Sequence, residues 1–388
     1  GDVLVAGIFT GDTVFFPGAP EQTTRTTLSA LIGNTLHRAE DPFFVRLSPA
    51  GEVVWALWGR TTPPLTGTWY NSPAALVPLG DGTTFISGNV RQSFILGDGA
   101  PGQTSLDGNR SYFAHVGVDG SLGTVFRHSD SAAVRPMALA PSGRIYGMVS
   151  DGATLFVGTE YEVDLLAEPG LITQTVARID PDGGIDWSIN FARETAGGVM
   201  GVAATPDDGL IVHGNVNGDF VVRDADDELH AGTSEAFAGW VARLDADGSL
   251  QWLSTDPALL FYATGTLPTN DGGVWIAAEV RAPYELPISG EVQSLPDLGL
   301  DDPATASTLL RLDDGIITHA RVFGRNLNVN SLEWADDAQQ AVVVAGDNEA
   351  CESLEPAVVD AAGTGLSPLT VGCNADETAQ AHVARVGI

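Results

Sequence analysis

Apolar residues alternate with small or polar ones over residues 1–10, GDVLVAGIFT, the pattern of a half-buried β-strand. The alternation returns in TTFISGNV (83–90), RIYGMVS (144–150), LIVHGNV (210–216), VWIAAEV (274–280) and AVVVAGD (341–347), making six copies. Most copies follow Gly or Asp-Gly, which lets the chain reverse into the strand. A second pattern runs from Phe43 to Trp58, FFVRLSPAGEVVWALW: an alternating strand, a Pro-Ala-Gly turn, and a strand ending in tryptophan. It predicts a β-hairpin and returns as YFAHVGVDGSLGTVF, TVARIDPDGGIDW, WVARLDADGSLQW, LLRLDDGIITHARVF and a final HVARVGI. A third pattern precedes five of the six strands, with Pro78, Pro141, Pro206 and Pro268 just ahead of the turn glycines.

One register of the hairpin carries Arg46, His115, Arg178, Arg243, Arg311 and Arg385, at spacings of 69, 63, 65, 68 and 74 residues. A near-constant period marks a repeat architecture. Each full repeat reads as four strands, A (ALVPLG-like), B (TTFISGNV-like), C (FVRLSP-like) and D (EVVWALW-like), with no helical periodicity between them. The expectation is an all-β chain: a six-bladed β-propeller of four-stranded antiparallel blades, one domain over residues 1–388, with B strands starting near 1, 83, 144, 210, 274 and 341. The first copy lacks strand A and the last lacks strand D, so the first and last blades are incomplete, as a processed or truncated N-terminus would leave them. The B–C connections hold most of the variation and are the expected place for binding.

Charge narrows the partners. The chain has 18 basic and 50 acidic residues, no lysine, and a net charge of −32. Such a surface repels phosphate backbones and anionic headgroups, which argues against nucleic acid and membrane surfaces. No apolar run is long enough for membrane insertion. The N-terminus has no basic, signal-like region, so any signal segment lies outside this chain.

The only cysteines, Cys351 and Cys373, lie 22 residues apart in the last long connection. A disulfide between them would stabilise by about 3 kcal/mol and would place the protein in an oxidising compartment. Two buried thiols are the alternative.

The densest acidic group, Asp224, Asp226, Asp227 and Glu228, is the candidate calcium site. No other cofactor is expected. Asp180-Pro-Asp182-Gly183 and Asp245-Ala-Asp247-Gly248 resemble the start of a calcium loop but occupy hairpin turns, where turn chemistry accounts for them. Gly97, Gly99 and Gly102 satisfy G-x-G-x-x-G formally, yet no helix follows to receive a phosphate. The repeated arginines, Arg46, Arg178, Arg243, Arg311 and Arg385, suit pairing with a neighbouring carboxylate while their stems pack on the sheet. Trp55, Trp187 and Trp252 share a D-strand register and suit packing between blades. His213, in mid-strand, reads as a packed histidine. No nucleophile elbow or Cys–His arrangement is present, and no catalytic residue is assigned.

The halves GDVLVAGIFTG (1–11), GWVARLDADGSLQW (239–252) and TVARIDPDGGIDW (175–187) resemble the repeats of a secreted bacterial β-propeller family found in exported proteins and lipoproteins. The resemblance covers essentially the whole chain, with His115 and the stretch His319–Phe323 departing from it. It implies the fold and an extracellular or cell-surface location, and it carries no catalytic residue. The expected function is a non-enzymatic binding or scaffold module for a protein or polysaccharide partner, through the B–C loops or the channel mouth. The alternative is a lyase or hydrolase acting on a polysaccharide in the central funnel.

Overall fold

The computed structural model describes residues 2–17, 20, 22–32, 35–63, 71–91, 93–107, 110–128, 137–150, 154–155, 163–164, 171–180, 184–195, 197–226, 228–255, 263–281, 285–289, 291–294, 305–325, 327–334, 341–348, 359–360 and 380–387. Among them there is no helix, and hence none long and apolar enough to cross a membrane. The strands form antiparallel sheets.

The strands follow the repeats. The second repeat runs Ser72–Pro78, Thr84–Val90, Arg110–Val116 and Leu122–His128, each paired with the next. The fourth runs Gly197–Ala204, Leu210–Arg223, Leu229–Leu244 and Leu250–Ser254, and the fifth Ala263–Pro268, Val274–Arg281, Thr305–Asp313 and Ile316–Arg325. The third comprises Met137–Leu139, Ile145–Ser150, Ile172–Ile179 and Ile185–Arg193, and shares one strongly curled eight-stranded sheet with the fourth. The first has Val3–Phe9, Asp41–Leu47 and Val53–Thr61, and the sixth Leu327–Trp334, Ala341–Asn348 and Gln380–Gly387.

Contacts divide the chain into two compact units. One is Gly1–Leu139, Gly143–Ala167 and Thr175–Asp186, and the other is Ala140–Ser142, Glu168–Gln174 and Trp187–Ile388. In the first unit, Phe44, Trp55 and Leu57 of repeat one pack with Ile86, Tyr112 and Leu122 of repeat two. On the other face of repeat two, Phe85, Phe113 and Phe126 pack with Ile145, Val149 and Ile179. In the second unit, the rings of Phe191 and Trp240 stack at 4.3 Å.

Strand-B glycines make room for large strand-C side chains. Gly7, Gly88 and Gly214 pair with Phe43, Tyr112 and Trp240. A β-carbon at these glycines would stand 2.7 Å from the Phe43 ring, 2.5 Å from the Tyr112 hydroxyl and 2.7 Å from Trp240 Cζ2. The bare backbone is what lets each aromatic ring lie flat across the ladder.

Turns between strands A and B and between C and D join repeats one and two, three and four, and four and five. Gly120 and Gly248, in C–D turns with φ of +80° and +87°, close on Trp55 and Trp187 of the preceding repeat. The Trp187 indole also donates to the Ala246 carbonyl at 2.9 Å. Gly315, at φ +79°, faces Trp252 in the same way. Arg46 donates to Asp2 at 2.5 Å and to the carbonyl of Gly82 in the following repeat. Arg243 donates to Asp207 at 2.9 Å and to the carbonyl of Gly272. In repeats one and four the repeated arginine thus grips a carboxylate of its own repeat and a turn of the next.

The B–C connections complete strand edges elsewhere. Phe94–Leu96, with Thr104–Leu106 behind it, pairs onto the D strand Val53–Thr61 of repeat one. Phe220–Arg223, the extension of strand B in repeat four, pairs onto Asn190–Arg193 of repeat three. Val359–Asp360 pairs onto Arg321 and Val322 of repeat five. An uncovered D strand would offer a row of unpaired backbone groups, and these segments take up part of that edge.

Candidate metal centre at a hairpin tip

The strands Leu210–Arg223 and Leu229–Leu244 form a long hairpin, bulged near Gly218, that turns over at residues 224–228. The Asp224 N–H donates to the Glu228 carbonyl at 3.1 Å and closes the turn. Asp224 organises what remains. Its Oδ1 accepts the Asp226 and Glu228 N–H groups at 3.1 and 3.0 Å. Its Oδ2 accepts the Leu250 N–H at 3.2 Å and pairs with His230 Nε2 at 3.0 Å. Asp226 receives the Ser249 hydroxyl at 2.5 Å. The tip is thereby tied to the C–D turn of its own repeat, where the Ala225 N–H also donates to the Gly248 carbonyl at 3.3 Å.

Asp224 is buried, whereas Asp226 and Glu228 are exposed. Burial opposes ionisation of Asp224, but the bonds from His230, Leu250 and Glu228 outweigh it and hold the carboxyl below the usual carboxylate range. One ligand atom each from Asp224, Glu228 and His230 lies within 4.8 Å of the others. An imidazole with two carboxylates is a donor set for zinc-like cations rather than calcium, which takes oxygen ligands. All four acceptor positions of Asp224 already receive hydrogen bonds, so a cation would have to displace His230 from it. As it stands, the arrangement is a hydrogen-bonded knot that fixes the tip.

Of the four acidic residues singled out in the sequence, Asp224, Asp226 and Glu228 come together here, and Asp227 lies outside the described residues. His230 was missed. Its signal was there: two positions beyond Glu228 on an alternating strand, it points to the side of the turn that the acids occupy. Cys351 and Cys373 lie outside the described residues, as does the side chain of Arg385, whose backbone belongs to Gln380–Gly387.

The other arginines are engaged with carboxylates. Arg311 donates to Asp271 at 2.5 Å and to Asp313 at 3.0 Å. Bonds from Thr269 and Arg311 hold the Asp271 carboxyl at about 2. Arg178 lies 3.5 Å from Asp186, which also pairs with Arg144 at 3.0 Å. In repeat two, His115 takes the arginine's place and bonds Thr83 at 2.8 Å. His213 is buried, and a β-carbon at Gly201, on the neighbouring strand, would stand 2.3 Å from its ring.

No family model matches the chain, and no curated protein matches it. Among solved structures it is similar to a luciferin-regenerating enzyme, at 10% identity and a TM-score of 0.31, over 71% of this chain and 83% of the other. It is also similar to a protein of unknown function from Bacteroides caccae, at 12% identity and a TM-score of 0.28, over 67% of this chain and 90% of the other. Likenesses this remote carry no argument about fold or activity.

Proposed function

We propose that the chain is a six-bladed β-propeller of the exported bacterial kind, a single domain over residues 1–388, that serves as a non-enzymatic binding or scaffold module. Its partner is a protein or a polysaccharide in an extracellular or cell-surface setting, and a Cys351–Cys373 disulfide closes the last long connection. One observation carries this reading. Among the regular residues of the repeats, Arg46 and Arg243 tie their own repeat to a turn of the next, as Arg243 does between Asp207 and the Gly272 carbonyl. Trp55, Trp187 and Trp252 pack against the turn glycines of the next repeat. What varies between repeats is the B–C connections, and hairpin pairing onto a neighbouring strand gives several of them a fixed base. Variable surfaces on a rigid support suit recognition.

The test is a glycan and protein-ligand screen on the purified chain, paired with an assay for polysaccharide cleavage. Saturable binding that weakens on replacing a B–C loop tip, with no new chain ends formed, is the expected result. Release of new reducing ends or of unsaturated uronic products would replace this reading with the lyase or hydrolase one.

A further inference from the structure

Asn89 and Asn215 hold the same place in repeats two and four, each following the strand-B glycine in the sequence Gly-Asn-Val. Their surroundings differ. Asn89 lies opposite Ser72 on one side and Ser111 on the other. The Ser111 hydroxyl donates to Asn89 Oδ1 at 3.0 Å. Asn215 lies opposite Gly198 and Gly239, so neither flank offers a hydroxyl. Its side chain is 1% exposed, and neither its Oδ1 nor its Nδ2 has a hydrogen-bond partner among the described residues.

The Asn215 amide borders a cavity of about 10 Å³, whose wall also includes Phe191, Arg193, Gly198, Phe220 and Trp240. A buried amide is costly without a partner, and a cavity of this order, with the Asn215 amide set in a largely apolar wall, has room for one water molecule. We propose that the cavity binds a single internal water, standing where the Ser111 hydroxyl stands in repeat two. The water donates to Asn215 Oδ1 and accepts from Nδ2. The walls set the size limit: Trp240 stacks with Phe191 at 4.3 Å and with Phe220 at 5.9 Å. Gly198 cannot regain the serine of repeat two, because its φ is +148° and a β-carbon there would stand 2.0 Å from Gln174 Oε1. That oxygen is held in place by the Val199 N–H at 2.8 Å and by Arg193 at 3.1 Å. Gly239 is therefore the flank through which a hydroxyl could return.

The test combines a crystal structure of the whole chain, at a resolution that shows ordered water, with thermal unfolding of two variants. Expected is one water peak within hydrogen-bond distance of both Asn215 side-chain atoms. Asn215→Leu, which fills the cavity but loses the water's partner, should lower the melting temperature by about 2 °C. Gly239→Ser should displace the water by its own hydroxyl. A dry cavity beside Asn215 would overturn the proposal, and so would an Asn215→Leu variant that melts higher than the parent, since that is the signature of an orphan amide relieved. If Gly239→Ser does not fold, the wild-type density and Asn215→Leu decide between the two outcomes.

Discussion

Gly120 sits against the indole of Trp55 so closely that a β-carbon on it would stand 2.6 Å from the tryptophan's own β-carbon. This is a contact between repeats, and it is built from a turn. The C–D turn needs a left-handed residue at this point, and glycine supplies it without a side chain to hold the next repeat away. Gly51 occupies the same turn position in repeat one at φ +81°, with nothing within 4 Å of its β-carbon direction.

That pair separates two effects. Gly51→Ala should cost only the left-handed backbone penalty, about 1 kcal/mol. Gly120→Ala should cost that plus the displacement of Trp55, for a total of about 3 kcal/mol. Urea unfolding of the two variants measures the difference, and equal losses would mean that the indole contact contributes nothing.

Asp224 holds its tip through four accepted hydrogen bonds, so Asp224→Ala should destabilise by about 2–3 kcal/mol. Chelation with EDTA should leave the melting temperature of the parent unchanged, because those bonds need no cation. A drop on chelation, restored by zinc but not by calcium, would instead show that Glu228 and His230 close on a metal.

His128 is buried against the Phe113 ring at 4.4 Å, and burial pushes its pKa down to about 3. The unfolded chain takes up this proton near pH 6.5, so between pH 6.5 and 3 the unfolded state binds more protons than the folded one. Stability is therefore complete above pH 6.5 and falls as the pH drops, by about 1.4 kcal/mol per unit from this group. The total over the window is on the order of 5 kcal/mol. Unfolding curves at pH 7 and pH 5 for the parent and His128→Leu should differ in slope by one proton. Parallel slopes would contradict the burial of the ring.

With 50 acidic residues against 18 basic ones, the folded surface repels itself. Adding sodium chloride from 0.05 to 1 M should raise the unfolding midpoint steadily as the Debye length shrinks from about 14 to 3 Å. Potassium chloride should do the same, since screening does not distinguish the two. An optimum at low salt would mean that attractive pairs such as Arg311–Asp271 outweigh the net repulsion.

The strands were the most legible part of the sequence, because period-two alternation is local. The stretch 83–90 appears as Thr84–Val90, and 43–58 as the paired strands Asp41–Leu47 and Val53–Thr61. The turns were partly legible. The Asp-Asp-Gly of residues 207–209 reads as a turn on its glycine, yet it is Asp208 that takes the left-handed conformation, at φ 63°. Its carboxylate is drawn there to accept the Ser142 N–H at 2.8 Å. Least legible was where the connections go. That SFILGDG would pair with a strand some 35 residues earlier leaves no periodic mark, since any apolar triplet could pair that edge. At the candidate site the acids stood out as a cluster, but the ranking among them did not. Burial made Asp224 the hub, and the histidine that completes the group is not acidic at all.

The pairing of Phe94–Leu96 onto Val53–Thr61 means that this loop belongs, in energetic terms, to the repeat before its own. Phe94 even lies over Gly59 of that strand, where a β-carbon would meet its ring at 2.2 Å. Shortening such a loop, or grafting a foreign one, would strip an edge from the preceding sheet and offer it to other molecules. Redesign of the variable surface therefore has room at the hairpin tips and little at their stems, and a loop exchange in one repeat should be scored first as a mutation in the one before it.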